Sequence, residues 1–223
     1  MGETKMRMRN KPWAKPELDS SPFFIDDPFQ KGDWHEKFAR KQPLYLELGC
    51  GKGNFIAEHA AKNPQINYLG IDMKSIILAC ACRHVKAEFA KAGREIDNVI
   101  LTAYDIERIL NIMDADDIVD RIYINFCNPW PKERHYKKRL THSRQLEKYK
   151  TFLRPGAEIH FKTDDDTLFA HSIQYFKESG FTIPYLTYNL HQSDYPNNIQ
   201  TEHEKKFTEQ GIKTKLLIAQ LPL

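Results

Sequence analysis

Gly49, Gly51 and Gly53 alternate with Cys50 and Lys52 directly after the run Leu44-Tyr45-Leu46-Glu47-Leu48. A short apolar run that ends in glycines predicts a buried strand turning sharply into a helix. Glycine has no Cβ, so this loop can take positive φ and let a ligand approach the backbone closely. Residues 54–62 read as helical, so the free N–H groups of that helix would face whatever sits over the loop. The dinucleotide fingerprint G-x-G-x-x-G would need glycine at position 54, where Asn54 stands. Residues 67–71 predict the next strand, and Asp72 follows Gly53 by 19 positions. A carboxylate at that distance suits the hydroxyls of a ribose-bearing cofactor. Loop and acid together point to an adenosyl cofactor; the loop alone is also compatible with an ordinary strand–helix turn.

A second stretch has its own chemistry. Residues 125–140 read Asn-Phe-Cys-Asn-Pro-Trp-Pro-Lys-Glu-Arg-His-Tyr-Lys-Lys-Arg-Leu. Pro129 and Pro131 stop the preceding strand and stiffen its exit. Trp130 offers a flat face, and cations begin at Lys132. A polar group, an aromatic and then a basic run suit a nucleotide base held beside its phosphates. A core tryptophan followed by a solvated basic loop has the same pattern.

Strands and helices must position these groups, and from Leu44 onward they alternate. Further strands are expected at 98–103, 118–126, 157–163, 181–190 and 214–220. Helices are expected at 75–91, 106–112, 166–179 and from Ser143 as cap to Leu153, stopped by Pro155-Gly156. Pro184 confines its strand to an edge or a bulge. This alternation predicts a mostly parallel sheet covered on both faces, with ligands at the carboxyl ends of the strands near the switch in strand order. Glu47, Asp72, Asp105, Asn128 and Asp164 all fall at such ends. Residues 1–40 show no sustained period and are interrupted by Pro12, Pro16, Pro22 and Pro28. They read as a basic arm that lies on the domain or orders only with a partner.

The net charge of the 223 residues is only +3, but it is uneven. Residues 1–16 carry Lys5, Arg7, Arg9, Lys11 and Lys15 against Glu3. Residues 131–150 carry Lys132, Arg134, Lys137, Lys138, Arg139, Arg144, Lys148 and Lys150 against Glu133 and Glu147. Two basic patches on an otherwise acidic body suggest a localised polyanion site. Cys50, Cys80, Cys82 and Cys127 lack metal-ligand spacing and read as free thiols of a reducing cytosol. The longest apolar run, residues 76–82, is too short to span a membrane, and no apolar signal region follows the basic N-terminus.

The pattern Glu47-x-Gly49-x-Gly51-x-Gly53 resembles the first motif of class I S-adenosylmethionine (SAM) methyltransferases. Over nearly its whole length the chain resembles bacterial tRNA (guanine-N7-)-methyltransferases of the TrmB type. The resemblance rests on Met6-Arg7-Met8-Arg9-Asn10-Lys11-Pro12-Trp13-Ala14, on Glu47-Leu48-Gly49-Cys50-Gly51-Lys52-Gly53, on Gly70-Ile71-Asp72, and on the stretch 125–140. It continues through His160-Phe161-Lys162-Thr163-Asp164 and Thr201-Glu202-His203-Glu204. It implies a Rossmann-like α/β domain over residues 41–223, the class I SAM-dependent methyltransferase fold. The sheet would be seven-stranded and mostly parallel, with helices on both faces and an antiparallel last strand. It implies a cytoplasmic enzyme, monomer or homodimer, that methylates N7 of guanine 46 in the variable loop of tRNA. SAM would be consumed and S-adenosylhomocysteine released, without a metal or a membrane. SAM contacts are implied for Glu47, Gly49, Gly51, Asp72, Asp105 and Asn128. Contacts to tRNA are implied for Lys132, Arg134, His135, Tyr136, Lys137, Lys138, Arg139, Asp164, Thr201, Glu202, His203 and Glu204. Thr201 and Glu204 also read as a capping box.

One departure matters. Where the family has aspartate before Pro-Trp, this chain has Asn128, the expected catalytic position. Asparagine is not a general base, but N7 of neutral guanine carries an in-plane lone pair and no proton to remove. Its oxygen is expected to accept a hydrogen bond from the guanine edge or the cofactor. Two other readings stay open. Asn128-Pro129-Trp130 looks like a shortened Asn-Pro-Pro-aromatic motif of amino-group methyltransferases, and loss of the aspartate could leave a tRNA-binding module without catalysis.

Overall fold

The computed structural model describes residues 11–26, 28–29, 31–196 and 198–223. The cations Lys5, Arg7 and Arg9, and the Met6-to-Asn10 part of the resemblance, lie outside them. Eight strands form one sheet: β1 (Phe24–Ile25), β2 (Leu44–Leu48), β3 (Asn67–Asp72), β4 (Val99–Ala103), β5 (Val119–Asn125), β6 (Leu153–Thr163), β7 (Thr182–Thr187) and β8 (Lys215–Gln220). The helices are α1 (Ala14–Asp19), α2 (Asn54–Lys62), α3 (Ser75–Ala92), α4 (Ser143–Tyr149), α5 (Asp166–Glu178) and α6 (Glu202–Glu209). The strand order is β1-β4-β3-β2-β5-β6-β8-β7. Pairs from β1 to β6 are parallel, and β8 runs antiparallel to both β6 and β7. The expected mostly parallel sheet with an antiparallel last strand is therefore present.

Strand β2 explains the core. Leu44, Leu46 and Leu48 are fully buried in one apolar cluster with Ile122, Ile124, Phe161 and Phe169. Tyr45, one residue out of phase, packs against the cluster on the opposite side, which holds Ile56, Ala81 and Leu101. That is the period of two expected of a strand buried on both faces. The chain leaves β2 toward β3 and β4 on one side and leaves β5 toward β6 on the other. The order therefore reverses between β2 and β5, where such sheets place their ligands.

Three expectations need correction. The sheet has eight strands rather than seven, because Phe24 and Ile25 pair with Leu101 and Thr102 of β4. Two residues are too few for alternation to register in a sequence. The helix expected from Ser143 to Leu153 starts one residue after its cap, His142, whose Nδ1 accepts the Arg144 N–H. It ends at Tyr149, and Pro155-Gly156 lie inside β6 instead of stopping a helix.

Residues 31–38 dock through Trp34, which is fully buried and whose Nε1 donates to the Ile112 carbonyl at 2.6 Å. Both oxygens of Asp117 accept backbone N–H groups from this segment, those of Gly32 and Trp34. Helix α1 sits on α3, with Glu17 between Arg83 and Lys86 and the Arg83 guanidinium 3.7 Å from the Trp13 ring centroid. Pro184 lies on the edge strand β7, at an irregularity in its register with β8. No helix among the described residues is long and apolar enough to cross a membrane.

Candidate functional site: an acidic cavity with a basic, aromatic rim

A cavity of about 640 Å³ opens where the sheet order reverses. This is the size of small-molecule and cofactor sites. Among its lining residues are Glu47, Gly49, Gly51, Asp72, Asp105 and Asn128, so the structure brings the expected cofactor set together.

The glycine loop is held from below. Gly49, Gly51 and Gly53 have φ of 79°, 54° and 76°, values that disfavour any residue with a Cβ. Their surroundings differ. A Cβ on Gly53 would lie 2.9 Å from the Ala81 Cα, so this glycine lets α2 start against α3. A Cβ on Gly49 or Gly51 would meet nothing closer than 3.9 Å. Those two leave room on the cavity side for a ligand to lie on the backbone. Asp72 fastens the loop: Oδ2 accepts the Gly51 N–H and Oδ1 the Lys74 N–H, both at 3.0 Å. Each carboxylate oxygen has a second lone pair that could accept from a ribose hydroxyl. Asp105 caps the next turn through the Glu107 N–H. Met73, Ile77, Tyr104 and Ile106 give the same flank an apolar surface suited to a flat base. No polar motif marks these four in the sequence, and they were not among the expected site residues.

Glu47 lies deeper, 4% exposed. Its Oε1 accepts from Asn125 Nδ2 at 3.0 Å, across the switch point, while Oε2 has no hydrogen-bond partner among the described residues. Burial pushes its carboxyl up to about 8. An unpartnered carboxyl oxygen at the floor of a cavity suits a ligand that brings a cation or an N–H donor.

The opposite rim comes from residues 126–140 and from α6. Phe126 and Trp130 have φ of 51° and 44°, the only described non-glycine residues with positive φ. Such positions cost of order 1–3 kcal/mol each and persist only where their surroundings over-determine them. At Trp130, Arg139 supplies that determination. It is 1% exposed, donates from Nε to the Pro129 carbonyl at 2.7 Å and from Nη2 to the Trp130 carbonyl at 3.4 Å, and stacks 3.6 Å over Tyr136. Its Nη1 donates to His171 Nδ1 at 2.7 Å. The Asn128 side chain completes the turn, with Oδ1 accepting the Trp130 N–H at 2.9 Å. His135 meets the Trp130 ring edge-on. The Cys127 thiol is pushed up to about 12 by burial and stays protonated.

The basic run is thus divided. Lys132, Arg134, Lys137 and Lys138 are exposed, and Lys138 lies 5.1 Å from the Trp130 ring centroid. Arg139 is corrected from a surface cation to the buried brace of the turn; its hydrogen bonds already end on protein carbonyls and His171. Tyr136 and His135 are half-buried, Tyr136 against Arg139 and His171 and His135 against Trp130.

Helix α6 closes the rim. Thr201 and Glu204 form the expected capping box. Glu204 is fully buried, however, pairing with Lys162 Nζ at 3.0 Å and with Asn198 Nδ2 at 2.5 Å. It docks the helix on β6, its carboxylate turned to Lys162 and Asn198 and not to the cavity, where the resemblance implied a contact with tRNA. Lys162 was not foreseen in this role because nothing in its neighbours announces a buried lysine. Thr201, Glu202 and His203 do line the cavity. The His203 ring stacks on Phe126, centroids 5.9 Å apart and planes 20° apart, and Glu202 reaches Lys52 of the glycine loop at 2.7 Å. Asp164 does not join the cavity; its carbonyl accepts from Lys215. Lys74 and Lys206 add unforeseen cations to the rim.

A family model described as "Putative methyltransferase" matches residues 41–217. A curated tRNA (guanine-N(7)-)-methyltransferase of Clostridium beijerinckii is 58% identical to this chain, covering 96% of it and 98% of the relative. Another of that name, from Clostridium perfringens, is 54% identical over 96% of this chain and 99% of the relative. Among solved structures, the 16S rRNA methyltransferase KamB superposes with a TM-score of 0.58 at 13% identity, over 82% of this chain and 89% of that one. At that identity the likeness concerns the fold.

Proposed function

The chain belongs to the family of tRNA (guanine-N7-)-methyltransferases, and from that premise we propose that it transfers the methyl group of SAM to N7 of a guanine in tRNA, at position 46 of the variable loop. The observation that carries this reading is the pairing of two unlike walls around one cavity. An acidic, glycine-lined wall holds Asp72 and Glu47, and it faces an aromatic and basic rim of Phe126, Trp130, Lys138 and His203.

The residues fit the cofactor. Gly49 and Gly51 leave the loop open, Asp72 would take the ribose hydroxyls, and Glu47 would answer a positive group. When bound, SAM supplies a methyl group on a sulfonium, which N7 can take directly through its lone pair as the carbon–sulfur bond breaks. The chain's task is then orientation, and effective molarities of well-oriented reactants can be large without any general base. The rim cations hold the phosphates flanking the target, while Phe126, Trp130 and His203 offer faces on which an unstacked base can lie. Lys132, Arg134, Lys137 and Lys138 carry the long-range attraction, and Glu202 and Thr201 present polar atoms at the mouth. Where tRNA is the substrate, the cytoplasm is the place of action.

The test is mass spectrometry of nucleosides from unmodified tRNA incubated with the protein and SAM. The expected product is 7-methylguanosine, absent from a transcript whose target guanine is replaced by 7-deazaguanine. A methylated exocyclic amine would favour the amino-group reading, and no methylation would favour a binding module.

A further inference from the structure

We infer that Asn128 reads the oxygen at C6 of the target guanine, donating from its side-chain amide to the atom next to the one that is methylated. The inference rests on the guanine-N7 reading of the site and concerns how the base is chosen within it.

The geometry assigns the two ends of the amide. Oδ1 accepts the Trp130 N–H at 2.9 Å, so the oxygen is committed within the protein. The reverse orientation would set an NH2 group against an N–H donor. Nδ2 then carries two N–H groups, and among the described residues no acceptor meets them. Asn128 is exposed and lines the cavity beside Phe126, Trp130 and Lys138. The turn that presents it is held on the other side, since Arg139 grips both the Pro129 and the Trp130 carbonyls. The expectation that the Asn128 oxygen would meet the ligand is therefore replaced by one in which the nitrogen does.

Chemistry supplies the partner. On the edge of guanine that carries N7, the only other hydrogen-bonding atom is O6, and both are acceptors. N7 must stay bare to attack the methyl group. A side chain that grips this edge beside N7 must therefore donate to O6. Aspartate at position 128 could still accept the Trp130 N–H, but it has no N–H for O6 and would set a negative charge against two acceptors. Asparagine changes the atom of the base that is read, in addition to removing a charge.

The experiment uses three full tRNAs with guanine, inosine or 2-aminopurine at the target position. Single-turnover rates are measured at pH 8 for the unaltered chain and for Asn128→Asp. Inosine keeps O6 and lacks the 2-amino group; 2-aminopurine keeps N7 and lacks O6. The unaltered chain should methylate guanine and inosine alike and 2-aminopurine more slowly by roughly tenfold, the loss expected of one neutral hydrogen bond. In Asn128→Asp the preference for guanine over 2-aminopurine should shrink by about the same factor, whatever happens to the absolute rate. The substrate series on the unaltered chain needs no variant to fold. Equal rates on guanine and 2-aminopurine there, or the same preference in both proteins, overturn the inference and leave the guanine-N7 reading standing. Failure of both proteins on guanine tRNA would take down the reading itself and this inference with it.

Discussion

Around residues 49–53 the backbone makes the wall of the cavity, and side chains only fasten it. Around residues 126–139 the reverse holds: side chains force the backbone into a shape it does not prefer. In the first region three glycines take positive φ at little cost and one carboxylate, Asp72, ties the loop down. In the second, Phe126 and Trp130 take positive φ at a cost; Arg139, Asn128 and His135 hold Trp130, with Tyr136 under Arg139, while the Phe126 N–H donates to the Lys162 carbonyl and its ring stacks on His203. The difference follows from what each wall faces. A small cofactor needs close approach to a smooth surface. A nucleotide within a large polyanion needs an aromatic and a polar group presented outward at a fixed angle, with cations beside them. Strain near the target base is thus a consequence of presenting large side chains from a tight turn.

Removing the brace should give the largest effect. Arg139→Ala removes a buried side chain and leaves the half-buried Pro129 carbonyl and His171 Nδ1 without their partner, a loss of ~1–3 kcal/mol. Denaturant unfolding should show it, and methylation should collapse while SAM affinity is largely kept. Arg139→Lys should not rescue it, because a single ammonium cannot reproduce the planar fork. Full activity in Arg139→Ala would mean that the turn holds itself.

The acidic wall has a pH signature. Glu47 is held at about 8 by burial, against an ordinary value of 4.5. The folded chain therefore binds this proton more tightly than the unfolded one. The stability it contributes is full below about pH 4.5 and is lost as pH rises toward 8. Glu47→Gln should consequently be the more stable protein at pH 8, by a few kcal/mol at most, with the gap closing near pH 4.5. Unfolding curves across that range check the sign. Because SAM is cationic, its binding should release a proton near pH 7, visible by calorimetry in buffers of different ionisation enthalpy. A gap that does not vary with pH would show that Glu47 is ionised in the free protein.

Asp72→Ala should weaken SAM binding by ~1.5–3 kcal/mol, about 10–150-fold, with little change in tRNA affinity. Unchanged SAM affinity would remove Asp72 from the ribose. The smallest effect is expected from Arg134→Ala with Lys137→Ala, both on the exposed side of the basic turn. The logarithmic salt dependence of tRNA binding should flatten by about 0.7–0.9 for each phosphate no longer neutralised, while SAM affinity holds. If the slope is unchanged, these cations are only a solvated face.

The cofactor wall was legible in the sequence because its parts are local. Alternation of Leu44, Leu46 and Leu48 predicts a strand, the glycines predict its exit, and Asp72 follows at the distance one β-α-β unit requires. The basic rim was legible only as a composition. Nothing in Lys-Lys-Arg tells the third cation from the first two, because burial of Arg139 depends on His171, thirty-two positions away on α5. Glu204 is a different case. Its capping role is local and was foreseen, but its burial depends on Lys162 of β6.

The sequence by itself determined the alternation of strands and helices, the glycine loop, the strand-end acids and the concentration of charge, since each depends on neighbours within a few residues. Only the tertiary structure decided which polar groups are spent inside the protein and which face the cavity. Arg139 and Glu204 are spent; Lys138, His203 and the nitrogen of Asn128 are not. The physical reason is that a hydrogen-bonding group is satisfied by whatever lies within about 3 Å of it, and distance along the chain does not say what that is.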